Sequence, residues 1–113
     1  MNEELQIDQN TLVNAWQQEL PVYLNPGDSA QVLADQADPR GLRVHINAAG
    51  RQFYSFDFHC SYSDQREVQV NLVDVEQDGV TIDEGHDLVQ EMTAHYVRNI
   101  HECAQALQRI TNP

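Results

Sequence analysis

Residues 54–60 read Tyr54-Ser55-Phe56-Asp57-Phe58-His59-Cys60, and the fold class is decided there. Apolar side chains stand at every second position, separated by Ser, Asp and His. That period fits a strand with one buried and one wet face. Just before it, Asn47-Ala48-Ala49-Gly50 fits a hairpin turn with Gly50 at positive φ. Earlier still, Leu42, Val44 and Ile46 alternate with Arg43 and His45 as a second two-faced strand. On the other side, Ser63-Asp64-Gln65 turns the chain. Val68, Val70 and Leu72 then alternate with Glu67, Gln69 and Asn71, and the segment runs on through Val73, Val75 and Glu76 to a turn at Asp78-Gly79. Residues 41–76 are therefore expected to form a three-stranded antiparallel meander with one apolar face.

A meander with one apolar face needs a cover. Residues 83–111 are expected to supply it as one long helix, with Leu88, Met92, Tyr96, Ile100, Cys103, Leu107 and Ile110 in a stripe. Asp83, Glu84 and Asp87 lie in its first turns and Arg109 in its last, the charge order that a helix dipole favours. Near the start of the chain, Asp8 is a good N-cap for a helix carrying Leu12, Val13, Trp16 and Leu20, and Pro21 stops it. Asn25-Pro26-Gly27-Asp28 is a turn. Ser29 is expected to cap a short second helix through about Ala37, with Val32 and Leu33 facing inward, broken by Asp38-Pro39-Arg40-Gly41. The fold class read from this order is α+β: N-terminal helices, the meander, and a long C-terminal helix packed on it. The 113 residues are one domain's worth, and 41% hydrophobic residues is enough to build a core.

Charge narrows the function. Eighteen Asp and Glu stand against six Arg and no Lys, a formal net charge of −12. Direct nucleic-acid binding is disfavoured, because it requires a basic surface that displaces counterions. An anionic membrane surface is disfavoured for the same reason, and no stretch reads as a transmembrane helix. The acidic start Met1-Asn2-Glu3-Glu4 does not read as a secretory signal, so a cytoplasmic location is expected and Cys60 and Cys103 are expected as reduced, buried thiols.

The carboxylates are unevenly placed. Asp57, Asp64, Glu67, Asp74, Glu76, Asp78, Asp83, Glu84, Asp87 and Glu91 fall within 35 residues beside the single arginine Arg66. Asp74, Glu76 and Asp78 are two apart, so an extended chain would set them on one face at roughly 6.6–6.8 Å intervals. Asp83, Asp87 and Glu91 are four apart, a helical row at about 6 Å per step. Phosphates on one DNA strand rise about 3.4 Å along the axis and are separated by roughly twice that through space. Two carboxylate rows at such a pitch can present a phosphate-like pattern. Ordinary solvated faces intersperse both signs; this one carries like-charge repulsion instead.

Other constellations are weaker. His45, His59, His86, His95 and His101 show no metal-ligand spacing with the two cysteines, so no metal and no cofactor is expected. Asp57 and His59 share a strand face and could form an acid–base pair, but no nucleophile, nucleotide-binding loop or dinucleotide fingerprint accompanies them. No enzymatic activity is expected.

The acidic chain, the rows Asp74/Glu76/Asp78 and Asp83/Asp87/Glu91, and the small mixed fold resemble bacterial DNA-mimic proteins, the Neisseria type that binds the histone-like protein HU in particular. The resemblance covers about a third of the chain and rests on charge and spacing, since such proteins share no motif. It implies a stoichiometric protein that occupies the DNA-binding face of a basic nucleoid protein and displaces it from DNA; a monomer is expected rather than a dimer. The chain also resembles immunity proteins, small acidic domains that block basic nuclease toxins. It is similar in charge to type III secretion chaperones, which alternate helices with an antiparallel sheet and hold extended segments as dimers. Three strands and one closing helix would depart from that last pattern.

Overall fold

The computed structural model describes residues 7–50, 53–83, 85 and 87–112. Helix α1 (Gln9–Glu19) starts where expected, with the Asp8 carboxylate accepting the Thr11 N–H, and a single 3-10 turn (Leu20–Val22) holding Pro21 follows it. Five antiparallel strands come next: β1 (Ser29–Ala34), β2 (Gly41–Asn47), β3 (Tyr54–Tyr62), β4 (Val68–Gln77) and β5 (Val80–Thr81). Their spatial order is their chain order, so the sheet is a plain meander. Helix α2 (Asp87–Ala106) and the short α3 (Gln108–Thr111) close the chain.

The α+β architecture is as expected, but the meander extends one strand further at each edge. Residues 29–37 do not form a second helix. Nine residues gain little from helical bonds, whereas Ser29–Ala34, as β1, pair in register with β2, Val32 opposite Val44 and Leu33 opposite Arg43. Val32 is then buried as expected, and Leu33 faces outward, 51% exposed. At the other edge, Asp78 and Gly79 both have positive φ, 54° and 81°, the two-residue turn that matches strand twist. It folds β5 back onto Glu76 and Gln77.

One face of the sheet carries the core. Leu42, Val44, Ile46, Phe56, Phe58, Cys60 and Tyr62 point into it, and α1 lies over β1 while α2 lies over β4. Trp16 is fully buried edge-on to Tyr62 and donates its indole N–H to the Tyr62 hydroxyl at 3.1 Å. Tyr96 of α2 packs on Phe56, ring centroids 5.2 Å apart. Burial pushes the Cys60 thiol up to about 12 and the Cys103 thiol up as well, so neither is a ready nucleophile.

The register of β4 holds an unexpected step. Asp57 pairs with Asp74 but Phe58 pairs with Leu72, which leaves Val73 as an extra residue in a bulge. Strict alternation from Val68, Val70 and Leu72 would turn Asp74 and Glu76 into the core. The bulge switches the parity instead. Val75 becomes fully buried, Val73 is 47% exposed, and Asp74 and Glu76 face away from the helices.

The long helix is shorter than expected. It begins at Asp87 and breaks at Leu107 before α3. Its buried stripe starts at Val89 and continues through Tyr96, Ile100 and Cys103, while Leu88 stands 41% exposed. Arg109 sits in α3 and donates to the Ala106 carbonyl. No helix among the described residues is long and apolar enough to cross a membrane.

Candidate functional site

The carboxylates singled out by spacing fall into three groups. The first is on the open face of the sheet. His45, Asp57 and Asp74 are successive register partners across β2, β3 and β4. Like charges directly opposite each other repel, and the His45 imidazole offsets this for Asp57, Nδ1 to Oδ1 at 2.7 Å. The other ring nitrogen of His45 is engaged by Asn47 at 3.2 Å. Asp57 is thus paired across strands with His45 and not along its own strand with His59. His59 turns to the β1–β2 loop, with Nε2 2.6 Å from Asp35 and 3.9 Å from Asp38. Asp38 accepts a hydrogen bond from the Ser61 hydroxyl, which holds its carboxyl below the usual range.

The second group lies at the β3–β4 turn. The Asp64 carboxylate accepts the backbone N–H groups of Arg66 and Glu67, each at 2.8 Å, and these bonds lower its pKa. It closes the turn. Asp64 and Glu67 sit at the opposite end of β3 and β4 from the rest and do not join a common patch with them.

The third group gathers at the end of the molecule made by the β2–β3 loop, the β4–β5 turn and the start of α2. The Asp78 N–H donates to the Phe53 carbonyl and so ties two of these loops together. Asp78, Asp83, Asp87 and Glu91 are exposed here. Asp83 lies ahead of the helix, its carboxylate accepting the Gly85 N–H, so the expected helical row contracts to Asp87 and Glu91. Glu84 lies outside the described residues, as does His86. Asp74 and Glu76 are near this end but on the open sheet face, in a different layer from α2. The two rows therefore approach one end of the molecule from opposite sides of the sheet. Among the described residues, Asp74, Glu76, Asp78, Asp83, Asp87 and Glu91 take part in no ion pair.

This end also holds a groove that the spacing of carboxylates did not reveal. Depressions of about 300 and 190 Å³ meet at Ala49, Leu88 and Met92. Phe53, at φ 54° and 67% exposed, stands at the mouth of the second. Asp28 and Glu91 line the first. Asp28 pins its walls: the carboxylate accepts the Ala49 N–H at 2.6 Å, the Asn25 N–H at 3.1 Å and the Tyr96 hydroxyl at 3.0 Å. Burial, then the Asp28 charge, raises the Tyr96 pKa. The sequence signal for Asp28 was its place in the Asn25-Pro26-Gly27-Asp28 turn, which says nothing of a contact 68 residues away.

A third depression, about 350 Å³, opens on the sheet face between Leu33, Arg43, His45 and Asp57. No group of three or more His, Cys, Asp or Glu among the described residues is placed to hold a metal ion. Comparison with protein-family models, with curated proteins and with solved structures finds no match to this chain.

Proposed function

We propose that this protein acts without catalysis, as a DNA mimic that binds a basic DNA-binding protein of the HU type and competes with DNA for it. The observation that carries the reading is the set of six exposed or half-exposed carboxylates, Asp74, Glu76, Asp78, Asp83, Asp87 and Glu91, which form no ion pair among the described residues and stand around one end of the sheet. Unpaired like charge costs stability, so a surface that keeps it is suited to an oppositely charged partner. Asp74 and Glu76 share a strand face, and Asp87 and Glu91 share a helix face, at spacings near that of successive phosphates. The partner would have to wrap around the end of the sheet to touch both.

Competition gel shifts with purified HU and duplex DNA test the proposal. The protein is expected to release DNA from HU at stoichiometric excess, with affinity falling steeply as salt rises. The quadruple change Asp74→Asn, Glu76→Gln, Asp87→Asn, Glu91→Gln is expected to abolish the release. Failure of the unaltered protein to displace DNA at low salt would reject the mimic.

A second reading is favoured by one specific observation. Five antiparallel strands between an N-terminal and a C-terminal helix bring the chain closer to the secretion-chaperone pattern than three strands would. A chaperone would run as a dimer in light scattering and bind an extended apolar segment with little salt dependence; the mimic would be monomeric and salt-sensitive.

A further inference from the structure

We propose that the groove between the β2–β3 loop and the first turns of α2 receives one apolar side chain from a basic protein segment, whose neighbouring Lys or Arg lies against Glu91. The inference rests on the basic-partner reading above and names the contact through which it is made. The groove is apolar where Ala49, Leu88 and Met92 meet, and among the described residues two carboxylates, Asp28 and Glu91, stand at its rim with the His95 imidazole beside them. Leu88 is 41% exposed on a helix whose next residue, Val89, is fully buried. Its side chain belongs to the groove and not to the core.

Charge complementarity selects the occupant. The Asp28 carboxylate is held in place by two backbone N–H groups and the Tyr96 hydroxyl, so it cannot swing away from an incoming group. An anionic segment would meet two like charges. A neutral apolar one would take water from both carboxylates and return nothing. A side chain that fills the apolar floor beside a cation satisfies both, and it resembles the apolar anchor with charged flanks that dominates many protein contacts.

The test uses the full chain, labelled with ¹⁵N, and three peptides: acetyl-Arg-Phe-Arg-amide, acetyl-Arg-Ser-Arg-amide and acetyl-Asp-Phe-Asp-amide. The first is expected to shift the amide signals of Ala49, Leu88 and Met92, and the other two to bind about tenfold more weakly or less. Leu88→Ser and Glu91→Gln are each expected to weaken the first peptide several-fold, with the remaining spectrum unchanged as the check on folding. Equal binding of the Arg-Ser-Arg peptide, with shifts confined to the Asp74–Glu76 strand face, would overturn the groove and leave the basic-partner reading standing. Equal binding of the Asp-Phe-Asp peptide would overturn the role of charge. No shift with either arginine peptide at low salt would overturn both readings.

Discussion

The two ends of the sheet draw on the same residue types and use them differently. At the end built from the β1–β2 and β3–β4 turns, polar groups are spent on the fold. The Gln9 amide reaches the carbonyls of Asp35, Asp38 and Gly41. Asp35 meets His59, Asp38 meets Ser61, Asp64 closes its own turn, and Gln65 donates to Asn112 at 2.6 Å. At the other end, Asp78, Asp87 and Glu91 form no ion pair among the described residues, and Phe53, Val80 and Leu88 are exposed beside them. A net charge of −12 therefore overstates the charge on offer to a partner at one end and understates its concentration at the other. Availability depends on which carboxylates the backbone has already claimed.

The sharpest way to break this contrast is to cut at each end and compare. Trp16→Ala, which empties the site against Tyr62, is expected to cost about 3–5 kcal/mol in urea unfolding. Leu88→Ser at the groove should stay within about 0.5 kcal/mol. Equal losses would mean that the groove is part of the core. Asp28 is the exception that sharpens the picture, since it is a structural carboxylate within the groove end. Asp28→Ala removes three hydrogen bonds to a charged group and is expected to destabilise by about 1.5–3 kcal/mol; hydrogen exchange should rise at Ala49 and spare the β3–β4 turn.

A smaller effect should appear in acid. The Asp38 carboxyl is held below its ordinary 3.8, chiefly by the Ser61 hydroxyl. A carboxylate with a depressed folded-state pKa contributes stability above its unfolded value and loses it as pH falls through the folded one. Ser61→Ala should therefore lower the urea midpoint at neutral pH, with the gap to the unaltered protein closing below about pH 4. A gap that stays constant to pH 2 would place the effect elsewhere. The smallest change is expected for Glu91→Gln. Relief of the Asp87–Glu91 repulsion, about 0.2–0.5 kcal/mol at this spacing, should hold or slightly raise Tm. A clear fall would show that Glu91 has a structural partner.

Much of this was legible in the chain. The period-two run 54–60, the Asp8 cap and the Asp78-Gly79 turn each carry local chemistry that leaves few choices. The stretch 29–34 does not: Ser-Ala-Gln-Val-Leu-Ala suits either state, and only the waiting edge of β2 decides it. There the Gln17 side chain of α1 then occupies the free edge of β1, bonding the Ala30 carbonyl and the Val32 N–H. The candidate site was legible as composition and illegible as geometry. Asp64 and Asp74 look equivalent in a list of acids, yet one closes a turn and the other faces solvent.

By itself the sequence determined the α+β class, the buried faces of β2 and β3 and the anionic character, because periodicity and charge are properties of near neighbours and of sums. The parity switch at Val73, the cross-strand pairing of Asp57 with His45 and the groove pinned by Asp28 were decided only in three dimensions. Each joins residues far apart in the chain, and the burial of Val75 and Tyr96 that enforces them exists only once the sheet has met its helices.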